Sequence, residues 1–421
     1  AVASVAGNTY TLTTSADVST GGAGADVFNG AKGSIDGDTI TGGAGSDTIS
    51  ITVTNADDDN SAFTGTGVET LQIRGTGAGA GVVDLDLGDV AGLETLEFRR
   101  MAEDVTVTNV ADLDTNLVIS NTASTTSAVI VNFDAAQVSG TSDTATLTVK
   151  DTTAGDDFTV NGVETIAVTA TGTLNDINID GDNLATVTVA GAGDISIDVD
   201  ASVTTFNASA NTGGTTMVAT AAAAVTATGG AGADVFTLGT TLTVADTIDG
   251  GDGTDTLGVT GAGGAVIPAS AVVSNVETLS VTTGGADTLD ANIVTFNTVT
   301  VTAAANAHTI AITDVNSETI NVRNGTAAGA ADDDVADINI ALETATGTAD
   351  SLTVNIENRD ADNEMAITTT DFGTTNVETV NLVFARAADI ADVSEINIVD
   401  VNSAHTTITF AGTADVTADV K

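Results

Sequence analysis

Glycine and aspartate recur in this chain at a spacing that suits the binding of a hard metal cation. Residues 21–29 read Gly-Gly-Ala-Gly-Ala-Asp-Val-Phe-Asn, and residues 229–237 repeat this nonapeptide with a change only at its last position. Each copy is followed 21 positions later by a further Gly-Gly-x-Gly-x-Asp, at 42–47 and at 250–255. Glycine allows a positive φ, so the carbonyl oxygens of such turns can face a common point, and the aspartate adds the charge that an oxygen-preferring cation needs. The four segments therefore predict calcium-binding turns.

The spacing of these nine-residue repeats (nonads) is that of the parallel β-roll, in which a glycine-rich turn alternates with a short apolar strand. A single Gly-Gly-x-Gly would describe any tight turn, with or without a ligand. Four copies paired at one offset favour the calcium-binding turn over a purely structural one. Ca²⁺ is therefore the expected bound ion.

Two degenerate nonads lie between the paired copies. Residues 33–41 and 241–249 keep an Asp-Thr-Ile core but lose most of the glycines, and we expect them to close the coil on its opposite side. The later one has Leu242 and Val244 in place of glycine, so we expect it to bind nothing, although Asp246 keeps its place in the repeat. The candidate metal ligands of all these turns are Gly22, Gly24, Asp26, Asp36, Asp38, Gly43, Gly45, Asp47, Gly230, Gly232, Asp234, Asp246, Gly251, Gly253 and Asp255.

The stacking of the coil predicts which carboxylates meet. In a two-sided coil the first and third nonads lie directly on one another, so Asp26 faces Asp47 and Asp234 faces Asp255. Two like charges at that distance repel unless a cation lies between them. The pairing therefore supports a metal at each of these two turns.

The charge balance restricts the partners of the chain. It has 9 Lys and Arg against 58 Asp and Glu, a formal net charge of -49. No surface of this kind neutralises phosphates, which excludes unaided nucleic-acid binding and disfavours an anionic membrane surface. So large a charge also destabilises a compact chain unless counter-ions bind. There is no apolar run long enough to predict membrane insertion, and the absence of Cys leaves packing and metal to stabilise the fold.

Alternation of Thr with Val, Ile or Leu runs through most of the chain, as in Val105-Thr106-Val107-Thr108, and predicts strands with one buried face. We therefore predict an all-β fold, a parallel β-roll or β-solenoid. The two nonad pairs are 208 positions apart, which predicts a tandem duplication. The predicted halves are 1–210, with nonads at 21–50, and 211–421, with nonads at 229–258.

A second repeat, Val-Glu-Thr-Leu or a near relative, begins six of the alternating segments, for example at Val68 and Val276. Because Glu69 has the same parity as the apolar Leu71 and Ile73, a continuous strand would put its carboxylate in the core. We therefore expect a bend between Val68 and Thr70, with the Glu at a corner. There it would accept hydrogen bonds from backbone amides of the neighbouring coil or bind a cation.

The motifs of common enzymes are missing. The chain has no His-Glu-x-x-His, no Gly-x-Ser-x-Gly and no Cys, and without Trp it offers little surface for stacking a sugar. We therefore expect that it is not an enzyme. The acidic segments 57–59, 332–334 and 357–364 are read either as solvated loops or as calcium-mediated contacts between subunits.

The nonads resemble those of the repeats-in-toxin (RTX) group of secreted Gram-negative proteins. Their combination with Thr-rich Val-Glu-Thr-Leu segments is similar to the calcium-dependent surface-layer (S-layer) proteins within that group. The resemblance implies type I secretion, folding on extracellular calcium, and self-assembly into a homo-oligomeric lattice or filament at the bacterial cell surface. Cell-surface polysaccharide is considered as a further partner. The alternative is a calcium-rigidified module of a secreted RTX adhesin; a Thr-ladder ice-binding surface is more remote.

Overall fold

The computed structural model describes most of the first half of the chain and mainly the strands of the second. The described residues are 5–31, 33–53, 61–75, 82–102, 104–121, 127–152, 156–219, 224–239, 242–261, 264–265, 271–283, 287–290, 298–303, 308–315, 319–324, 335–342, 351–358, 369–371, 379–386, 394–398, 407–412 and 416–420. Every regular element in them is a β-strand. Where the structure is described, it contains no helix with the length and apolar character needed to cross a bilayer.

The chain divides into two compact units. Unit 1 comprises 1–218 and 230–232, and unit 2 comprises 219–229 and 233–421. The strands of unit 1 are β1 (Thr9–Thr11), β2 (Val18–Thr20), β3 (Val27–Ala31), β4 (Thr39–Thr41), β5 (Thr48–Val53), β6 (Ser61–Ala62), β7 (Thr64–Thr66), β8 (Thr70–Gly75), β9 (Val82–Asp86), β10 (Val90–Ala91), β11 (Thr95–Arg99), β12 (Asp104–Val110), β13 (Asn116–Ser120), β14 (Ala128–Phe133), β15 (Thr144–Lys150), β16 (Asp156–Asn161), β17 (Thr165–Thr171), β18 (Asn175–Asp180), β19 (Thr186–Gly191), β20 (Ile195–Val199), β21 (Thr205–Asn211) and β22 (Thr215–Ala219), the last residue of which falls in unit 2.

Unit 2 continues the same kind of element. Its strands are β23 (Thr226–Thr228), β24 (Val235–Gly239), β25 (Thr247–Asp249), β26 (Thr256–Thr260), β27 (Gly264–Ala265), β28 (Val272–Ser274), β29 (Thr278–Thr283), β30 (Asp287–Asp290), β31 (Thr298–Ala303), β32 (His308–Val315), β33 (Thr319–Asn324), β34 (Val335–Leu342), β35 (Ser351–Asn358), β36 (Thr369–Asp371), β37 (Thr379–Arg386), β38 (Ser394–Ile398), β39 (Thr407–Gly412) and β40 (Val416–Val420).

Unit 1 is a parallel β-solenoid built from three sheets. Sheet A has the order β1-β3-β5-β8-β11-β13-β15-β17-β19-β21, sheet B the order β2-β4-β7-β10, and sheet C the order β6-β9-β12-β14-β16-β18-β20-β22. Successive strands alternate between sheets, so each coil adds one strand to each sheet it crosses. The first coils run between sheets A and B, the coils from β5 to β11 visit all three sheets, and the later coils run between A and C. The two-sided coil predicted from the nonads therefore describes both ends of this unit but not its middle.

Unit 2 has the same parallel pairing. Its sheets have the orders β23-β25-β28 (sheet D), β24-β26-β29-β31-β33-β35-β37-β39 (sheet E), β27-β30-β32-β34-β36 (sheet F) and β38-β40 (sheet G). The prediction of an all-β parallel solenoid is thus confirmed. The predicted halves at 1–210 and 211–421 remain a prediction about the origin of the chain.

The core follows directly from the alternation in the sequence. In β5 and β14 every second residue is buried, and the residues between them are partly exposed. Apolar side chains therefore fill the interior of the coil, where Phe28, Phe98 and Phe158 are among the largest fully buried residues. The rings of Phe98 and Phe158 meet edge to face with centroids 6.2 Å apart. Burial of one face of each strand, coil after coil, supplies the hydrophobic stabilisation of the solenoid.

Candidate metal centre

The nonad aspartates lie at the turns that immediately precede strands. Asp26 and Asp47 come directly before β3 and β5, which pair in register with Val27 opposite Thr48. Asp234 and Asp255 hold the same positions before β24 and β26. All four aspartates are fully buried. The predicted stacking of Asp26 on Asp47 and of Asp234 on Asp255 is confirmed.

In unit 1 the stacked carboxylates accept hydrogen bonds from the backbone. Asp26 receives the amide of Asn8 on Oδ1 and that of Gly22 on Oδ2, each at 2.5 Å. The amide of Asp26 in turn donates to Oδ1 of Asp47 at 2.7 Å. Each carboxylate thus caps the amide of the coil before it, which satisfies a buried N–H that the strand ladders leave unpaired.

The column continues into the Val-Glu-Thr-Leu repeat. The amide of Asp47 donates to Oε2 of Glu69 at 2.7 Å, and in unit 2 the amide of Asp255 donates to Oε2 of Glu277 at 2.8 Å. A third case is Glu164, which receives the amide of Asp143 at 2.8 Å. The corner position and the amide-binding role proposed for these glutamates are confirmed at these three residues. The chain changes direction at Gly67, which has a φ of 59° and lies just before Glu69.

The structure places the two sequence repeats in one column, a relation that the sequence analysis missed. Thr48 pairs with Thr70, so Asp47 and Glu69 occupy equivalent places in consecutive coils. We name Asp26, Asp47 and Glu69 the unit 1 column, and Asp234, Asp255 and Glu277 the unit 2 column. The signal was present: Asp47-Thr48-Ile49 and Glu69-Thr70-Leu71 share an acid, a threonine and an apolar residue in the same order.

In unit 2 the column has the same geometry. The amide of Asp234 donates to Oδ1 of Asp255 at 2.7 Å, as the amide of Asp26 does to Asp47. The backbone carbonyls of these aspartates are hydrogen-bonded as well. The amide of Thr256 donates to the carbonyl oxygen of Asp234, and the amide of Thr278 donates to that of Asp255. Side chain and backbone therefore hold successive coils together at the same corner.

The nonad glycines serve two different physical needs. Gly43, Gly45, Gly251 and Gly253 have φ values of 109°, 136°, 93° and 138°, as expected from the sequence. Their counterparts in the first member of each pair, Gly22, Gly24, Gly230 and Gly232, are not among the residues of positive φ. That part of the expectation is wrong for these four.

Close approach of neighbouring backbone explains most of the remaining glycines. A Cβ on Gly24 would lie 2.6 Å from the carbonyl oxygen of Ala6, and one on Gly230 would lie 2.8 Å from that of Ala208. Around Gly232 the backbone of Gly213 is equally near. Gly22 is different, because its nearest neighbour would be 3.7 Å away.

The glycine that begins each nonad makes room for the aspartate. A Cβ on Gly21 would lie 2.6 Å from Oδ2 of Asp26, and a Cβ on Gly42 would lie 2.6 Å from Oδ2 of Asp47. Gly250 stands in the same relation to Asp255, also at 2.6 Å. A Cβ at these positions would clash even more closely with a backbone carbonyl of the next coil, that of Gly42, Gly67 or Asn275, so glycine makes room for the neighbouring backbone as well as for the carboxylate.

The opposite side of the coil uses the same device. Asp38 receives the amide of Asp17 at 2.7 Å, and Asp246 receives the amide of Val225 at 2.7 Å and that of Thr243. Both aspartates are buried. Asp36 is exposed, so the structure does not bring it into the stack with Asp38.

Burial and hydrogen bonding shift the pKa values of these carboxyl groups in opposite directions. The amides of Gly22 and Asn8 lower the pKa of Asp26, because they stabilise its charged form. Burial raises the pKa of Asp255 to about 6, and the charges of Asp234, Glu277 and Asp249 add to it. Burial likewise raises the pKa of Asp38. The unit 2 column therefore places carboxylates where burial and mutual repulsion disfavour their charged forms, and a bound cation would offset both effects.

The chemistry of the donors fits a hard cation. Oδ2 of Asp47 and Oδ2 of Asp255 are buried and accept no hydrogen bond, and they hold equivalent places in the two columns. A buried carboxylate oxygen without a partner is costly, and calcium is a cation that oxygen donors coordinate. In the described residues, however, no three His, Cys, Asp or Glu side chains gather into a cluster. Side chains alone therefore do not complete a coordination sphere.

The fold and the columns together define a parallel β-solenoid with buried carboxylates stacked at its turns. Neither a protein-family model nor a curated protein matches this sequence. The function is therefore inferred from the residues and geometry of the chain itself.

Proposed function

We propose that this chain is a structural cell-surface protein of bacteria that folds on binding extracellular Ca²⁺ and assembles with copies of itself into an S-layer-like lattice. The observation that carries the proposal is the unpartnered, buried Oδ2 at the same place in both columns, on Asp47 and on Asp255. A formal charge of -49 adds a general need for cations, because self-repulsion opposes the compact state.

Calcium would be held by Asp26 and Asp47 in unit 1 and by Asp234 and Asp255 in unit 2. Carbonyl oxygens of the glycine turns would supply further ligands, since calcium takes six to eight oxygens. The ion supplies positive charge between stacked carboxylates. The aspartates also accept hydrogen bonds from backbone amides, and the glycines leave space for the carboxylates at the turn.

Binding that occurs only in the folded state stabilises that state in proportion to the logarithm of the ion excess. In a cytosol poor in calcium the chain would stay unfolded, and outside the cell it would fold. This order of events suits a protein that is secreted through a channel as an unfolded chain. We therefore place the protein outside the cell, at the bacterial surface.

Assembly into a lattice is the part of the proposal that distinguishes it from an adhesin module. The acidic segments 57–59, 332–334 and 357–364, which were predicted either as solvated loops or as calcium-mediated contacts, lie outside the described residues except for 357–358, at the end of β35. The exterior of sheet A supports the proposal, because consecutive strands such as β15, β17 and β19 pair in register and repeat their outward-facing residues at one spacing.

Electron microscopy of the purified chain with millimolar calcium tests the function. Ordered sheets or filaments, formed with calcium and dispersed by a chelator, are the expected result. Light scattering should rise with calcium and stay flat with sodium chloride of equal ionic strength, since monovalent salt only screens charge. Isolated rods that stay monomeric at high concentration would refute self-assembly and favour the adhesin module.

A further inference from the structure

The two large sheets of unit 1 present charges of opposite sign. The strands of sheet A carry Arg74, Arg99 and Lys150, and Arg100 follows β11 directly. Glu97 is the one acidic residue in the described strands of sheet A. In a chain with 9 basic residues, four are therefore gathered on or beside one sheet.

The strand register arranges the basic residues in a row. Arg74 pairs with Arg99, Arg99 pairs with Ser120, and Ser120 pairs with Lys150. Since neighbouring strands are about 4.8 Å apart, Arg99 and Lys150 are separated by two strand spacings. We name Arg74, Arg99, Arg100 and Lys150 the basic row.

Two acids lie beside the basic row, Glu97 on the same strand as Arg99 and Asp151 directly after Lys150, but neither forms an ion pair with it in the part of the chain that the structure describes. Glu97, on the same strand as Arg99, is instead bound by Nε2 of Gln72 at 2.7 Å and by the hydroxyl of Ser120 at 2.9 Å. Two like charges directly opposite on neighbouring strands are destabilising. Arg74 and Arg100 are exposed, and Arg99 is partly so. The row is therefore open to an external anion, and guanidinium groups favour carboxylates and phosphates.

Sheet C has the opposite character. Its described strands in unit 1 contain no Lys or Arg. Its partly or fully exposed acids are Asp84, Asp86, Asp104, Asp157, Asp176, Asp180 and Asp198. Asp157 and Asp198 lie on either side of Asn178, so they too are separated by two strand spacings. Burial raises the pKa of Asp180, and the charges of Asp200 and Asp157 add to it.

We propose that the basic row of one copy docks on the acidic face of sheet C of a second copy. Both arrays follow the same hydrogen-bonded strand spacing, so the separation of Arg99 and Lys150 matches that of Asp157 and Asp198. The contact joins two different surfaces, is therefore heterologous, and propagates from copy to copy instead of closing on itself. This inference rests on the proposed self-assembly and specifies the surfaces that carry it.

We take the occupant to be a second copy because the acids on sheet C of this chain have the opposite charge to the basic row and the same spacing. An anionic polysaccharide would meet the same cations, but nothing in it has to match the strand spacing. The two occupants are separated by the experiment below.

Charge reversal in the calcium-loaded chain tests the docking. Arg74→Glu with Arg99→Glu should raise the concentration needed for assembly by at least about tenfold, as attractive pairs across the contact become repulsive. Arg323→Glu with Arg386→Glu in unit 2 changes the net charge by the same amount and should leave assembly unchanged. Circular dichroism in calcium checks that each variant is folded.

A complementary variant tests the pairing itself. Asp157→Lys with Asp198→Lys should also impair assembly alone, and mixing it with the Arg74→Glu, Arg99→Glu chain should restore assembly. If wild type assembles and the Arg variant assembles equally well, the docking is wrong while the proposed function stands. If that variant assembles normally but loses retention on dextran sulfate, the row binds an anionic polysaccharide and the docking is again wrong. A wild type that never assembles overturns both.

Discussion

The two carboxylate oxygens of Asp47 have different environments and different proposed roles. Oδ1 accepts the amide of Asp26, while Oδ2 is buried without a hydrogen-bond partner. The first role needs only an acceptor, whereas binding a cation needs charge. The two roles are therefore separable by a substitution that keeps the oxygen and removes the charge.

Asp47→Asn should fold in excess calcium with little loss from the amide cap but should lose one calcium ion in calorimetric titration. Asp47→Ala should lose the same ion and, by leaving the Asp26 amide without an acceptor, a further ~1–3 kcal/mol of stability. Glu69→Gln is the matched control, because Glu69 caps an amide in the same column and is not one of the nonad ligands. If the Asp47→Asn variant keeps the wild-type calcium stoichiometry, the ligand role of Asp47 is refuted.

Adjacent glycines of the first nonad predict opposite outcomes. Gly21→Ala would place a Cβ against the carbonyl oxygen of Gly42 and 2.6 Å from Oδ2 of Asp26, whereas Gly22→Ala meets nothing closer than 3.7 Å. We expect Gly21→Ala to cost about 1–3 kcal/mol, the usual penalty of overpacking, and Gly22→Ala to be tolerated. Thermal melts in saturating calcium measure both. Equal melting temperatures for the two variants would show that Gly21 is not packed closely against the Asp26 carboxylate and the backbone of Gly42.

At the scale of the strands, the sequence predicted most of what the structure contains. Period-2 alternation, as at 105–108, indicates a strand because a parallel coil buries only one face of it. The paired nonads indicated the stacking of Asp26 on Asp47 because their offset of 21 residues equals one coil.

Two features of the coils were not predictable from local pattern. The third strand of the coils between β5 and β11 depends on how loops of variable length return to the sheets, which alternation does not encode. The glycines of positive φ could not be told from those of close approach, since both needs select the same residue. Gly43 and Gly22 are an example: only Gly43 has a positive φ.

The two columns should behave as independent elements. Asp47→Ala should remove calcium binding from unit 1 only, and Asp255→Ala from unit 2 only, because the residues are in different units and share no hydrogen-bond partner. The losses in stability should then add in the double variant to within about 0.5 kcal/mol. Loss of both ions from either single substitution would show that the columns share one site.

At the scale of the whole molecule, the net charge and the positions of the charged residues lead to different predictions. The net charge of -49 predicts repulsion between copies and a need for cations. It does not predict that Arg74, Arg99 and Lys150 lie on sheet A while the described strands of sheet C carry only acidic charges, because that separation depends on strand register. The sign of a local surface therefore had to come from the structure.

The dependence of folding on calcium is the claim on which the rest depends. It is tested most directly by far-ultraviolet circular dichroism of the chain, first in chelator and then during titration with calcium. We expect a disordered spectrum in chelator that gains β-signal as calcium is added, with no change when sodium chloride of equal ionic strength replaces it. A β-spectrum in chelator identical to that in calcium would contradict the claim.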